Sequence, residues 1–89
     1  MISLKLILSL GEYMPYNSTH DLPYSIKNHL PIKAQEIYLK AFNNAWEEYQ
    51  DSDKRRGEET REEVSHKVAW SAVKKKYHKD ESGNWVEND

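Results

Sequence analysis

The sequence predicts a mainly α fold: a compact bundle of about three helices, with a small two-stranded β element joining the termini. Three observations lead there. First, Ala34, Ile37, Tyr38, Ala41, Phe42, Ala45, Trp46 and Tyr49 recur at i, i+3, i+4, i+7, i+8, i+11, i+12 and i+15, an unbroken apolar stripe at helical period. Second, Thr60 with Glu63 three residues on forms a capping box at the head of another amphipathic run. Third, Trp85-Val86 returns to apolar residues after the polar turn Asp80-Glu81-Ser82-Gly83-Asn84. A tryptophan so near the chain end needs a surface to dock on.

Residues 1–13 differ from the rest. Ile2, Leu4, Leu6, Ile7, Leu8 and Leu10 make a short greasy run. It falls short of the roughly 20 apolar residues that span a bilayer. It also lacks a clean small-x-small cleavage site. The reading is an extension not native to the domain, which would then comprise residues 14–89. Met14 to Tyr16 reads as extended, because Pro15 pushes Met14 away from helical angles. Paired as a strand with Trp85-Val86, it would bring the two ends together.

Asn17 to His20 is a polar turn, and Asp21 is the expected N-cap of a short first helix with Pro23 in its first turn. Leu22, Ile26, His29 and Leu30 lie on or near one face. Pro31 ends that helix and opens the second, about 32–50, since proline suits the first helical position. Asp51 to Glu59 is a dense charge run broken by Gly57, a solvated connection. The third helix is expected over 61–79, with Glu62 and Glu63 at its start and Lys74, Lys75 and Lys76 near its end, matching the helix dipole. Its face carries His66, Ala69, Trp70, Val73 and Tyr77, widened by Val64, Val68 and Ala72. The expected core is therefore Ile37, Tyr38, Phe42, Trp46 and Tyr49 against Trp70, Val73 and Tyr77, with His66 a core-edge histidine bonded to a neighbour.

Composition narrows function. Eighty-nine residues make one domain, and three Trp, six Tyr and one Phe supply its bulk. With no cysteine there is no disulfide or thiolate zinc site, which favours a reducing cytoplasm. Thirteen basic against 15 acidic residues oppose a broad nucleic-acid surface.

Motif by motif, little chemistry stands out. Asp51-x-Asp53 opens like a calcium loop, but Arg55 holds the next ligand position and no glycine follows at the sixth. The histidines at 20, 29, 66 and 78 lack zinc spacing. Adjacent glutamates (47 and 48, 58 and 59, 62 and 63) point about 100° apart on a helix and share no dry cleft. No glycine-rich phosphate loop exists. No enzyme and no cofactor are expected. The livelier alternative is a basic contact surface built from Lys54, Arg55, Arg56, Arg61, Lys67, Lys74 and Lys75, although acidic neighbours offset its field.

One resemblance spans almost the whole domain. Met14-Pro15-Tyr16, Asp21-Leu22-Pro23, Ile26, Leu30-Pro31, Ala34-Gln35-Glu36-Ile37-Tyr38, Ala41-Phe42-Asn43-x-Ala45-Trp46, Arg61-Glu62-Glu63 and His66-Lys67-Val68-Ala69-Trp70-x-Ala72-Val73-Lys74-x-x-Tyr77 follow in matching order and spacing. This pattern resembles the ChaB family of cation transport regulators. The resemblance implies a compact, mainly helical fold with a small terminal β element. It implies regulation of a calcium/sodium–proton antiporter through a small interaction domain in the cytoplasm. It carries no catalytic residues over. Some viral relatives are described as DNA-binding, so a small DNA-binding protein using the 54–61 loop and the helix at 61–79 stays open as the alternative.

Overall fold

A computed structural model describes residues 16–89. The greasy run at 1–13, and Met14 and Pro15 of the expected N-terminal strand, lie outside the described residues. In chain order the described elements are a 3₁₀ turn (Thr19–Asp21), α1 (Tyr24–Lys27), α2 (Ile32–Glu48), a second 3₁₀ turn (Ser52–Lys54), α3 (Arg61–Lys74), β1 (Tyr77–Lys79) and β2 (Trp85–Glu87). The predicted class holds: helices dominate, and a small antiparallel sheet closes the C-terminal end.

The central packing is α2 against α3. The aromatic stripe drives it, with Tyr38 and Phe42 completely buried. Ala34 and Ala45 on α2, and Ser65 and Ala69 on α3, are equally buried. Small side chains at these places allow close approach of the two helix backbones. Leu22, Ile26 and Leu30 cover one end of this core, and Val73 and Tyr77 complete it. Ile37, Trp46 and Trp70 are partly buried and pack on its margin, while Tyr49 is half-buried at the end of α2. Tyr16 docks its ring on Phe42 at 4.9 Å. Its carbonyl accepts from Asn43 Nδ2 at 2.8 Å.

Three local expectations change. Asp21 does not cap α1. Its carboxylate accepts from the Asn17 N–H instead. The cap residue is Pro23, extended at ψ 146°, whose carbonyl starts the ladder by accepting from Ile26 and Lys27. Second, α3 stops at Lys74, five residues early. Lys75 and Lys76 tighten onto Ala72 and Val73, and Asn88 then captures the carbonyls of Lys75 and Lys76 through its side chain and backbone N–H. That outside donor replaces helix continuation, so Tyr77 enters a strand and still reaches the core. Third, the strand partner of Trp85-Val86 is β1, in the register Tyr77↔Glu87, His78↔Val86, Lys79↔Trp85. Of the segment expected there, the described residue Tyr16 lies in no strand. The hairpin turn is tied by Asp80, whose Oδ1 accepts from Ser82 and Asn84. Gly83 supplies the left-handed φ of 86° that other residues resist.

The capping box is present in full. Thr60 Oγ1 accepts from the Glu63 N–H at 3.0 Å, and Glu63 Oε1 accepts from the Thr60 N–H at 2.8 Å.

Candidate interaction surface

The seven candidate cations divide among different settings. Lys54, Arg55, Arg56 and Lys67 line one hollow of about 290 Å³ together with Tyr49 and Glu59. The loop reaches it because Asp51 caps the short turn through the Asp53 N–H, and Gly57 takes a φ of 54°. Arg55 staples the loop by donating to the carbonyls of Glu59 and Gln50. Lys67 pairs with the Glu59 carboxylate. That hydrogen bond to an ammonium holds Glu59 below its usual pKa, against the desolvation that opposes it. The hollow is therefore mixed in charge, and Arg55 is half-committed to holding its own loop.

Arg61 works at the end of α2. Its Nε donates to the Trp46 carbonyl at 2.6 Å, and its guanidinium lies 4.2 Å from the Trp46 ring centre. The last carbonyls of a helix have no partner inside it, so Arg61 supplies one and stacks on the same residue. Its position binds the two ends of the 49–60 connection together.

His66 sits where the sequence reading placed it, at the core edge and bonded to a neighbour. Its ring meets Phe42 edge-on at 4.6 Å, and Nδ1 pairs with the Tyr38 hydroxyl. Burial raises the Tyr38 pKa far above its usual value, with a smaller contribution from Tyr16. Burial lowers that of His66, and Glu62 opposes only in part. Both groups are thus neutral near pH 7. Nε2 lies 3.9 Å from the Glu62 carboxylate, which favours the tautomer with its proton on Nε2 and Nδ1 accepting from Tyr38.

Lys74 belongs to another place. It lines a groove of about 380 Å³ with Ser25, His29, Trp70, Lys79 and Trp85. The two indoles touch with centroids 5.5 Å apart, and the Lys79 ammonium lies 5.9 Å from the Trp85 ring. Lys75 is exposed beside it in sequence, its carbonyl taken by Asn88. The structure therefore divides the seven: Lys54, Arg55, Arg56 and Lys67 at one hollow, Lys74 at a separate groove, Lys75 outside both, and Arg61 anchored to Trp46. Ser25 and His29 were not read as site residues. Only the fold brings α1 to the hairpin, so no local signal marks them. Trp85 did carry a signal, as an isolated indole near the chain end.

Among the described residues no three His, Cys, Asp or Glu side chains come together in a metal-binding group. No helix among them is long and apolar enough to cross a membrane.

Against this geometry, comparison with known proteins is specific. The ChaB family model matches residues 22–88. The "Putative cation transport regulator ChaB" of Escherichia coli K12 is 51% identical over 72 residues, covering 81% of this chain and 95% of that protein. The same figures hold for its counterpart in Shigella flexneri. Among solved structures, the NMR solution structure of ChaB matches with a TM-score of 0.71 and 48% identity, across 84% of this chain and 100% of that one.

Proposed function

The chain belongs to the ChaB family, and from that premise we propose that it regulates cation transport by contact with a partner, without catalysing a reaction. The observation that carries this reading is that relatives 51% identical over 95% of their length bear the name of a cation transport regulator. Its finer form is a small domain in the cytoplasm that docks on a calcium/sodium–proton antiporter. The surface supports contact rather than chemistry. Arg55 staples its own loop, Arg61 holds the end of α2, and His66 bonds Tyr38 at the core edge. The hollow at Tyr49, Lys54, Arg56 and Lys67 and the groove at Trp70 and Trp85 mix aromatic and charged side chains, the composition that suits protein interfaces. The test is co-purification. The tagged chain, mixed with detergent-solubilised membranes containing a sodium/proton or calcium/proton antiporter, should retain that antiporter above an unrelated transporter at moderate salt. No enrichment overturns the antiporter partner.

A second reading rests on one observation, the convergence of Lys54, Arg55, Arg56 and Lys67 around a single hollow. It makes the chain a small DNA-binding protein. Glu59 within that hollow, and the separation of Lys74 from it, weigh against this reading. Gel shifts with single- and double-stranded DNA at two salt concentrations decide it, since phosphate contacts weaken steeply with salt. No shift at low salt removes the DNA reading.

A further inference from the structure

The groove between α1, the end of α3 and the hairpin is a different kind of surface from the other concavities. We propose that it is a docking site for an acidic peptide segment of a partner protein, with one bulky apolar side chain seated against Trp70 and Trp85 and flanking carboxylates on Lys74 and Lys79. This goes beyond the reading of the chain as a contact-acting regulator, because it names the site and the chemistry of what fills it. It does not depend on the partner being a transporter.

Charge complementarity carries the argument. The chain is net −2, yet this groove holds Lys74 and Lys79 and no carboxylate. The hollow at Tyr49 and Lys54 contains Glu59, the one at Tyr16 contains Glu36, and the one at Ile37 and Tyr77 contains Glu36 and Glu87. An anionic ligand thus meets uncompensated positive charge here. The two indoles supply the apolar part: partly buried, they pack on the core margin and on each other. Tryptophan is among the residues most enriched as interface anchors, and the two lysines supply the charge that selects an anionic partner. His29 is orientated by donating from Nδ1 to the Ser25 carbonyl at 2.6 Å.

A peptide fits better than a nucleic acid for two reasons. Bases stack on open aromatic faces or between spaced rings, whereas these indoles contact each other at 5.5 Å with a tilt of 31°. Two lysines also offset only about two phosphates, leaving a long polyanion facing a net negative chain.

The test uses the full chain and a blocked synthetic peptide, glycine, glutamate, leucine, glutamate and glycine, whose two carboxylates match the two lysines and which contains no tryptophan. Intrinsic fluorescence follows binding, and the indole N–H signals of the protein report its place by NMR. The peptide should give a saturable change that moves the signals of Trp70 and Trp85 and leaves that of Trp46. Reversing both charges (Lys74→Glu with Lys79→Glu) should weaken binding by at least about tenfold, with the melting curve confirming that the variant folds. Both side chains are exposed, so the reversal opens no core cavity. Replacing the peptide's leucine by serine should weaken binding as well. No saturable change, binding indifferent to the charge reversal, or displacement of the peptide by a ten-nucleotide thymidine strand that moves the same indoles further would each overturn the proposal. Failure here leaves the antiporter reading standing on co-purification, and failure of co-purification leaves the peptide result standing.

Discussion

The Tyr38 hydroxyl is hydrogen-bonded to Nδ1 of His66, joining the centres of the two main helices through a neutral pair. Burial holds both groups in that state: it pushes the tyrosine up and the histidine down. Each shift sets a sign for stability against pH. For His66 the folded pKa lies below its ordinary value near 6.5. Its contribution is therefore complete above that pH and is lost as the unfolded chain takes up the proton first, below about 6.5. For Tyr38 the folded pKa lies above the ordinary value near 10, so its contribution is complete below that pH and is lost above it. The urea midpoint should fall between pH 7 and pH 5 in the parent protein. In His66→Gln, which keeps an acceptor for Tyr38 without titrating, it should fall less. An unchanged acid slope in that variant would show that His66 is not the group responsible.

Arg61 ties the start of α3 to the last turn of α2 by two contacts with one residue, Trp46. A charge-assisted hydrogen bond and a cation–π contact together suggest a cost of about 2 kcal/mol for Arg61→Ala. Arg61→Lys keeps the charge but cannot hold the planar stacking and the Nε bond together, so it should recover less than half. Denaturant unfolding of the three proteins measures both numbers. Full recovery by lysine would mean that only the charge matters.

Ser65 is completely buried on α3, and its Oγ has no hydrogen-bond partner among the described residues. An unpaired buried hydroxyl costs about 1–3 kcal/mol. Ser65→Ala should therefore stabilise the fold, by about 1 kcal/mol, while leaving the helix seam intact. A destabilised variant in thermal unfolding would reveal a partner for that hydroxyl.

Aromatic truncations should rank by burial. Phe42→Ala, at a fully buried position, is expected to cost about 3–5 kcal/mol. In a small domain that is most of the total stability. Trp46→Ala and Trp70→Ala remove larger rings that are only partly buried, and should cost less than Phe42→Ala. Chemical denaturation of the three variants gives the order directly. A tryptophan variant less stable than Phe42→Ala would place that indole deeper than its exposure indicates.

How much of this was legible depends on whether the signal was local. The α2 stripe is periodic over its whole length, and the Thr60–Glu63 box is a short motif, so both could be read directly. His66 could be read because it interrupts an apolar face with a polar ring. The end of α3 could not. Lys74, Lys75 and Lys76 are adequate helix formers, no glycine or proline follows them, and the residue that stops the helix, Asn88, is far away in sequence. The β1 partner of Trp85 lies close by, across the 80–84 turn, but was hidden because Tyr77 to Lys79 read as the end of the helix. The basic residues looked continuous along the chain, but the early stop of α3 moves Lys79 onto the hairpin beside Trp85. Charge patterning alone could not separate one basic surface from two concavities.

The central claim is that this chain changes cation transport by contact. It is tested most directly in inverted membrane vesicles that carry a sodium/proton or calcium/proton antiporter and an internal pH dye. Purified protein added to the exposed cytoplasmic face should change the rate of cation-driven proton exchange, with a saturating dependence on its concentration. Heat-unfolded protein should have no effect. An exchange rate unchanged at saturating amounts of folded protein would contradict the account.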